Sequence, residues 1–528
     1  MDVASFVLPF LPEVVLLAAT LLVFLLDVLH VRRTEIVGAL AVAGAAVALL
    51  LVVADLRFAP LASLATLPAG RIDAAGSPTA LFAFTSLGLV FQGVFLIATL
   101  LVSLASVSRP SDERGAPIFF GLLLLATLGM LLVTVAADLI FLLLAVELTS
   151  ISTYLLVAYT RRDPRSLEAA MKFYIIGALS TTLSFFGASL LYGAYGTTNL
   201  YAIRLAAGPV GFPVLVLLGY GFLIAGLAFK ATLVPFHAWA VDVYDGAPTD
   251  VTAFLAGGSK KVGLFSFFLV FLAPILFVRT VGGGSPFTGA AVGLGPVFQL
   301  TLGVLAVLTM TVGNVLALLQ KEMKRMLAYS SISQAGYMLI GIAVGTAPAI
   351  AGATLQIFAH VFMKGAAFLV VGGVAALGIG PLVDDYRGLG TRRPLLSVAF
   401  ALMLLSLAGV PLTIGFVSKF VLFSAAVQAQ GFFVWLAVAG LLNSALSVFY
   451  YARVLKVMFF DPAPAAPADR GAVVGASGPS ILPAGGLGYG RAVAIGLSAA
   501  LIVLVGLYPQ PVLGAIQLAA QHFVATGA

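Results

Sequence analysis

Six lysines, Lys172, Lys230, Lys260, Lys261, Lys364 and Lys419, and one glutamate, Glu147, fall inside apolar stretches long enough to cross a bilayer. A charge near the bilayer centre costs roughly 2.5–3.5 kcal/mol on insertion scales, so the set opposes insertion by something on the order of 15–20 kcal/mol before any compensation. The chemistry such groups offer in return is proton carriage. Desolvation disfavours the ammonium form of an amine and a nearby carboxylate restores it, so moving the carboxylate switches the amine between release and uptake. Glu147 is the natural carboxylate for this role, with a static buried ion pair as the alternative. His360 stands four residues before Lys364 on one helical face. Histidine titrates near neutral pH and can relay a proton that the lysine then holds, the alternative being a satisfied core histidine. His237 reads equally as a relay or as an ordinary interfacial histidine.

The elements that position these residues must be membrane helices. With 62% hydrophobic and only 9% charged residues over 528 positions, the chain is far more apolar than a soluble domain, in which about 25% of residues are charged. It is expected to be an all-α polytopic membrane protein. Phe6 to Leu29 is too long for a signal-peptide core and lacks a basic flank, so it reads as a retained span. The absence of cysteine excludes disulfides, thiolate zinc, cysteine-held iron–sulfur clusters and c-type haem within this sequence. No cofactor or metal site is expected in the chain. A b-type haem held by His237 and His360 is the weak alternative. The net charge of +7 does not point to nucleic acid, because the basic residues fall in short loops between apolar segments and form no basic tail.

Apolar runs of about 20 residues or more predict about fourteen spans, near 6–29, 35–54, 78–107, 117–136, 137–159, 166–194, 212–236, 250–277, 296–319, 325–345, 349–378, 395–426, 432–459 and 492–515. Of the 27 basic residues, six are the lysines within spans. Alternate loops place only Arg57, Arg71, Arg204 and Arg279 on one side and the remaining seventeen on the other. The positive-inside rule then puts both termini outside. The segment 461–490, rich in Ala, Pro and Gly, reads as a cytoplasmic linker that leaves the last span packed peripherally.

Two spans are interrupted beside a buried lysine. In the seventh, Pro235 follows Lys230 by five residues; in the twelfth, Gly409-Val-Pro411-Leu-Thr413-Ile-Gly415 precedes Lys419 in an apolar run too long for a straight helix. Proline frees a carbonyl, tolerated at membrane depth only where protein or water satisfies it, so broken helices imply a polar interior. Lysine precedes the break in one half and follows it in the other, as two inverted repeats require; two unrelated kinks are the alternative. By depth the charges climb from inside to outside: Lys172 near the inner face, then Lys230, Lys260 and Lys261, then Glu147 and Lys364 near mid-span, then Lys419 in the outer half. Snorkelling is a competing reading for Lys172 and for one of Lys260 and Lys261.

The segments Val146-Glu147-Leu-Thr-Ser150, Phe229-Lys230 through Pro235-Phe-His237-Ala-Trp239, Asp242-Val-Tyr-Asp-Gly-Ala-Pro248, Lys324-Arg-Met-Leu-Ala-Tyr-Ser-Ser331 and Gly415-Phe-Val-Ser-Lys419-Phe resemble the antiporter-like subunits of respiratory complex I. Leu11-Pro-Glu-Val and Met171-Lys172-Phe-Tyr are most similar to the NADH-quinone oxidoreductase subunit N type. The resemblance runs from about residue 10 to 460. It departs at His360 and Lys364, a pair that resembles instead the sister subunits L and M and the sodium/proton antiporter proteins.

The resemblance implies fourteen helices with two inverted five-helix repeats and discontinuous helices 7 and 12. The corresponding division is N-terminal helices 1–110, a first repeat 117–277, a second repeat 296–459, the linker and a C-terminal helix 492–528. It implies a Glu147–Lys230 pair, a channel lysine at Lys260 with Lys261 as second candidate, and an exit lysine at Lys419. It further implies a proton translocase subunit of the prokaryotic plasma membrane, driven by electron transfer from NADH or another donor to quinone. FMN, iron–sulfur clusters and quinone are then expected in the other membrane and peripheral subunits. Competing readings are a subunit of a multi-component Na⁺/H⁺ antiporter or of a membrane-bound hydrogenase, an independent secondary transporter, and an assembly subunit.

Overall fold

The computed structural model describes residues 8–31, 33–58, 81–107, 115–205, 213–282, 294–463 and 487–526. The described residues are almost wholly helical, with isolated bridges Phe82 to Ala136, Asp138 to Asn199 and Glu322 to Leu382 tying loop ends together. Among them, thirteen helices are long and apolar enough to cross a membrane: Leu8–Val28, Thr34–Arg57, Ser86–Val107, Ala116–Thr134, Leu139–Val157, Pro164–Tyr195, Val214–Ala231, Thr249–Phe271, Gly295–Leu318, Met323–Val344, Ala347–Ala376, Phe432–Phe459 and Tyr489–Leu507. Two shorter apolar helices, Pro394–Ala408 and Ile414–Gln428, fall where the twelfth crossing is expected. They are numbered together as span 12, and the rest as spans 1 to 11, 13 and 14.

Two expected boundaries are corrected. Span 3 begins at Ser86 rather than near 78, because residues 81–85 are non-helical and Ala83 N–H pairs with the Val135 carbonyl. Span 14 ends at Leu507 rather than near 515, and a separate helix, Gln510–Thr526, follows. The residue before a proline is driven out of the helical region; Tyr508, before Pro509, has φ −131° and ψ 76°. The new helix buries Leu513, Ile516, Ala519, Ala520 and Phe523 at helical spacing and packs on spans 11 and 3. Most of the expected linker, residues 464–486, lies outside the described residues.

Burial grades the spans. Spans 8, 10 and 11 are each 94% buried over their most apolar window, whereas spans 6 and 13 are 33% and span 14 is 28% buried. The first three are the centre of the molecule and the last is peripheral. A buried ion pair, Arg491 Nη2 to Asp250 Oδ1 at 3.0 Å, ties the start of span 14 to the start of span 8.

Four spans are deformed. The helix of span 7 stops at Ala231, Thr232 takes φ +59°, and a short helix Ala238–Gly246 resumes after the turn. The Phe229 carbonyl accepts from Trp239 Nε1 at 3.0 Å, and Val234 N–H donates to Thr309 Oγ1 at 3.0 Å. In span 12, Gly409 at φ +90° and Leu412 at φ +70° turn the chain, and Thr413 caps the second helix by accepting from Phe416 N–H. Spans 8 and 11 carry what the sequence did not lead us to expect: π-helical turns at Leu255–Ser259 and Val361–Gly365. Such bulges frequently occur at functional sites. The two turns pack against each other, with Gly257 and Gly365 facing across the contact.

Candidate functional site

Lys230, Lys260, Lys261, Lys364 and Lys419 are all buried, none more than 4% exposed. Each lies at or beside a deformation. Lys230 is the penultimate residue before the span 7 break, Lys260 and Lys261 follow the π-turn of span 8, Lys364 is inside that of span 11, and Lys419 is in the first turns after the span 12 break. A helix that loses its regular ladder leaves carbonyls without donors, and an ammonium supplies donors and no acceptor.

On the span 5 to span 7 side, Lys230 Nζ donates to Ser150 Oγ at 2.9 Å. Glu147 Oε2 accepts from Thr181 Oγ1 at 2.7 Å. Glu147 and Ser150 share one face of span 5 at i, i+3, so the expected pair is arranged as carboxylate and amine flanking a serine, with no direct ion pair between them. A cavity of about 10 Å³ lies here, lined by Ser150, Ser180, Thr181, Ser184 and Lys230 among others. That is the room a single water requires.

At the centre the two adjacent lysines of span 8 diverge. Lys260 Nζ reaches span 10, donating to the Ser331 carbonyl at 2.5 Å. Lys261 Nζ reaches span 11, lying 2.9 Å from His360 Nδ1 and 2.7 Å from the Ala256 carbonyl. The other His360 nitrogen, Nε2, is buried without a partner. Lys364 Nζ donates to Ser330 Oγ at 2.5 Å, and that hydroxyl shares a hydrogen bond with Tyr451 Oη of span 13. His360 and Lys364 therefore face different partners, because the π-turn between them shifts the helical register that equal spacing implies.

Lys419 Nζ donates to the Leu407 and Ala408 carbonyls at 2.9 and 3.1 Å and to Ser444 Oγ at 2.8 Å. It thus closes the C-terminal end of the first half of span 12, where the helix dipole favours a cation. Its ammonium also lies 4.9 Å from the Tyr337 ring centroid. A groove of about 540 Å³, walled largely by Phe416, Phe420, Phe423 and Leu441, opens beside Lys419 and Ser444.

Two expected residues stand apart. Lys172 has a 43% exposed side chain and bonds Glu168 at 2.8 Å and Asp242 at 3.0 Å. Arg325 of span 10 also reaches Asp242, at 3.2 Å. Burial alone lifts the Asp242 carboxyl, but the hydrogen bonds and charges of Lys172 and Arg325 outweigh it and hold the group below its ordinary value. Lys172 therefore belongs to an ion cluster at the end of span 6, joining the resumed helix of span 7 to span 10. His237 begins that resumed helix, with its Nδ1 buried and unbonded.

The residues that accept from the lysines, Ser150, Ser330, Ser331 and Ser444, and Tyr451, which bonds Ser330, were not singled out in the sequence. Serines in apolar helices commonly bond their own backbone, as Ser152 and Ser498 do here, so residue type alone does not mark them. The usable signal was stoichiometric: each buried amine needs acceptors. The sequence has no cysteine, and among the described residues no group of three or more His, Asp or Glu could hold a metal ion.

Broken helices whose ends are closed by buried lysines define a polytopic membrane protein of the antiporter-like class. Residues 136–447 match the family described as NADH:quinone oxidoreductase/Mrp antiporter, TM, and the chain belongs to that family. It is 40% identical over 466 residues to F(420)H(2) dehydrogenase subunit N of Methanosarcina mazei, covering 85% of this chain and 88% of the relative. It is 37% identical over 498 residues to NADH-quinone oxidoreductase subunit N 2 of Sorangium cellulosum, covering 90% and 93%. A chain of respiratory complex I from Thermus thermophilus with bound aureothin superposes with a TM-score of 0.71 at 30% identity, covering 96% of this chain and 99% of that one.

Proposed function

We propose that this chain is the proton-translocating membrane subunit of a redox-driven quinone oxidoreductase whose electron carriers reside in partner subunits. The observation that carries the reading is the series of five buried amines, each bonded to neutral oxygen or nitrogen atoms at a helix deformation. A buried ammonium without a paired carboxylate is costly, so these sites are suited to lose and regain protons. Protons enter from the cytoplasm near Lys172 and Lys230, pass laterally through Lys260, Lys261 and His360 to Lys364, and leave outward past Lys419. Glu147 sets the charge state of Lys230: approach across the Ser150 gap favours uptake, and withdrawal favours release. The two halves, 117–277 and 296–459, act as inverted repeats in a prokaryotic plasma membrane, with both termini outside. NADH or another reduced cofactor is the donor, and FMN and iron–sulfur clusters in the peripheral subunits supply the electron transfer.

The test is the assembled complex in sealed vesicles, with proton uptake read against donor oxidation. Lys230→Ala is expected to abolish pumping while the complex still assembles; unchanged pumping would overturn the reading. The family description also covers Mrp antiporters, and the Lys261–His360 contact keeps a Na⁺/H⁺ antiporter subunit as a second reading. Flavin and iron–sulfur in the isolated complex favour the first, and their absence together with Na⁺-driven exchange favours the second.

A further inference from the structure

Between Lys364 and Lys419 the proposed path has no charged residue to use, and two polar connections approach the gap. The first runs through amides. Gln356 Nε2 donates to Gln334 Oε1 at 2.6 Å, Gln334 Nε2 donates to the Leu407 carbonyl at 3.2 Å, and that carbonyl also accepts from Lys419. The second runs along span 13. Ser330 links Lys364 to Tyr451, and Ser444 receives Lys419. Ser447 stands between, bonded to the Ser444 carbonyl at 2.6 Å. Positions 444, 447 and 451 fall on one helical face, and all three side chains are buried. The face runs about 10 Å from Ser444 to Tyr451 at 1.5 Å per residue.

The chemistry separates the two. A hydroxyl both donates and accepts, so it can take a proton on one lone pair while handing its own forward; a carboxamide presents a donor end and an acceptor end that do not interchange. The amide run is flanked by the Leu407 carbonyl at one end and, at the other, by the Ser418 hydroxyl, which donates to Gln356 Oε1, so its two carboxamides are the links that fix its direction. We propose that span 13 carries the proton between Lys364 and Lys419 through Tyr451, Ser447 and Ser444, and that the Gln334–Gln356 pair serves to position the span 12 break. In the step itself the Lys364 N–H bond breaks as an O–H bond forms on Ser330, whose own proton moves to Tyr451. The excess proton then crosses one helical turn to Ser447 through water, reaches the Ser444 hydroxyl through a second water because Ser447 itself donates to the Ser444 carbonyl, and ends on the neutral amine of Lys419. Lys364 is left as a neutral amine and each hydroxyl regains one proton, so no co-reactant is needed. Tyr450 on the same stretch donates to Asn314 Oδ1 at 2.9 Å, which holds that part of span 13 in register.

This inference rests on the translocation reading, and the experiment separates the two. In the assembled complex in vesicles, Tyr451→Phe keeps the ring and removes only the hydroxyl; Ser447→Ala removes one oxygen and Ser447→Thr restores it. Tyr451→Phe and Ser447→Ala are each expected to lower pumping several-fold and raise its solvent deuterium isotope effect, in a complex whose subunit composition and thermal midpoint match the unsubstituted one. Ser447→Thr is expected to recover most of the rate, a rescue that a packing defect does not give. Normal pumping in both Tyr451→Phe and Ser447→Ala, in a complex where Lys419→Ala does not pump, overturns the span 13 path and leaves the translocation reading standing. Normal pumping in Lys419→Ala as well overturns both.

Discussion

The polar interior has two regions built differently. Around span 7, one amine, Lys230, bonds Ser150 beside a serine-lined cavity of about 10 Å³, and one carboxylate, Glu147, stands a helical turn from Ser150 on span 5, bonded to Thr181. From span 8 to span 12, Lys260, Lys261, Lys364 and Lys419 meet carbonyls, hydroxyls and a histidine, and among the described residues none of them forms an ion pair. The contrast assigns the work. A carboxylate a few ångströms from an amine can bias its protonation by small movement, because electrostatic energy at short range in a poorly hydrated site changes steeply with distance. Amines held only by neutral groups have no such lever and respond to the charge of one another. The first region is suited to receive the driving signal and the second to transmit it.

The largest expected effect tests that asymmetry. Glu147→Gln removes the lever while preserving the hydrogen-bonding shape, and pumping should fall on the order of tenfold or more, the equivalent of at least about 1.4 kcal/mol of lost bias. If it pumps normally, the two regions do not differ in the way described. Next is Ser150→Ala, which deprives the Lys230 ammonium of its bonded acceptor. A buried polar group without a partner costs about 1–3 kcal/mol, so a several-fold loss of pumping and a lower thermal midpoint are expected, with Ser150→Thr restoring both.

The smallest effect concerns the ion cluster of Lys172, Asp242 and Arg325, which lies outside both regions. Because Asp242 titrates below its ordinary value of about 3.9, its contribution to stability is present above that pH and is lost as the pH falls through the lowered folded-state value. Its partial exposure keeps the effect small. A thermal midpoint that falls on the acid side less steeply in Lys172→Ala than in the unsubstituted protein is the expected result.

Much of this division could be read from residue types. A lysine in an apolar run is conspicuous, and a proline or glycine beside it announces the breaks of spans 7 and 12. The π-turns of spans 8 and 11 gave no such notice: the residues around Lys260 and Lys364 include no proline, and Gly257, Gly258 and Gly365 read as ordinary small residues in packed membrane helices. The acceptors were equally silent, since Ser330 and Ser444 differ from structural serines only in what stands opposite them. The four-residue spacing of His360 and Lys364 suggested one face with the histidine relaying to the lysine, whereas across the intervening bulge His360 meets Lys261 and Lys364 meets Ser330. The break before Pro509 was passed over in an apolar run read as continuous to 515, although a proline drives the residue before it out of the helical region. Lys172 shows the limit of depth counting, because five residues from an interface is close enough for a long side chain to reach surface partners.

The most direct measurement is a water map of the assembled complex by high-resolution electron microscopy, because every step above requires amines joined by hydrogen-bonding groups or water. Ordered waters linking Lys230 to Lys260, Lys261 to Lys364, and Lys364 to Lys419 along span 13 are the expected result. Dry apolar gaps between these nitrogens, or nitrogens turned out to lipid headgroups, would contradict it.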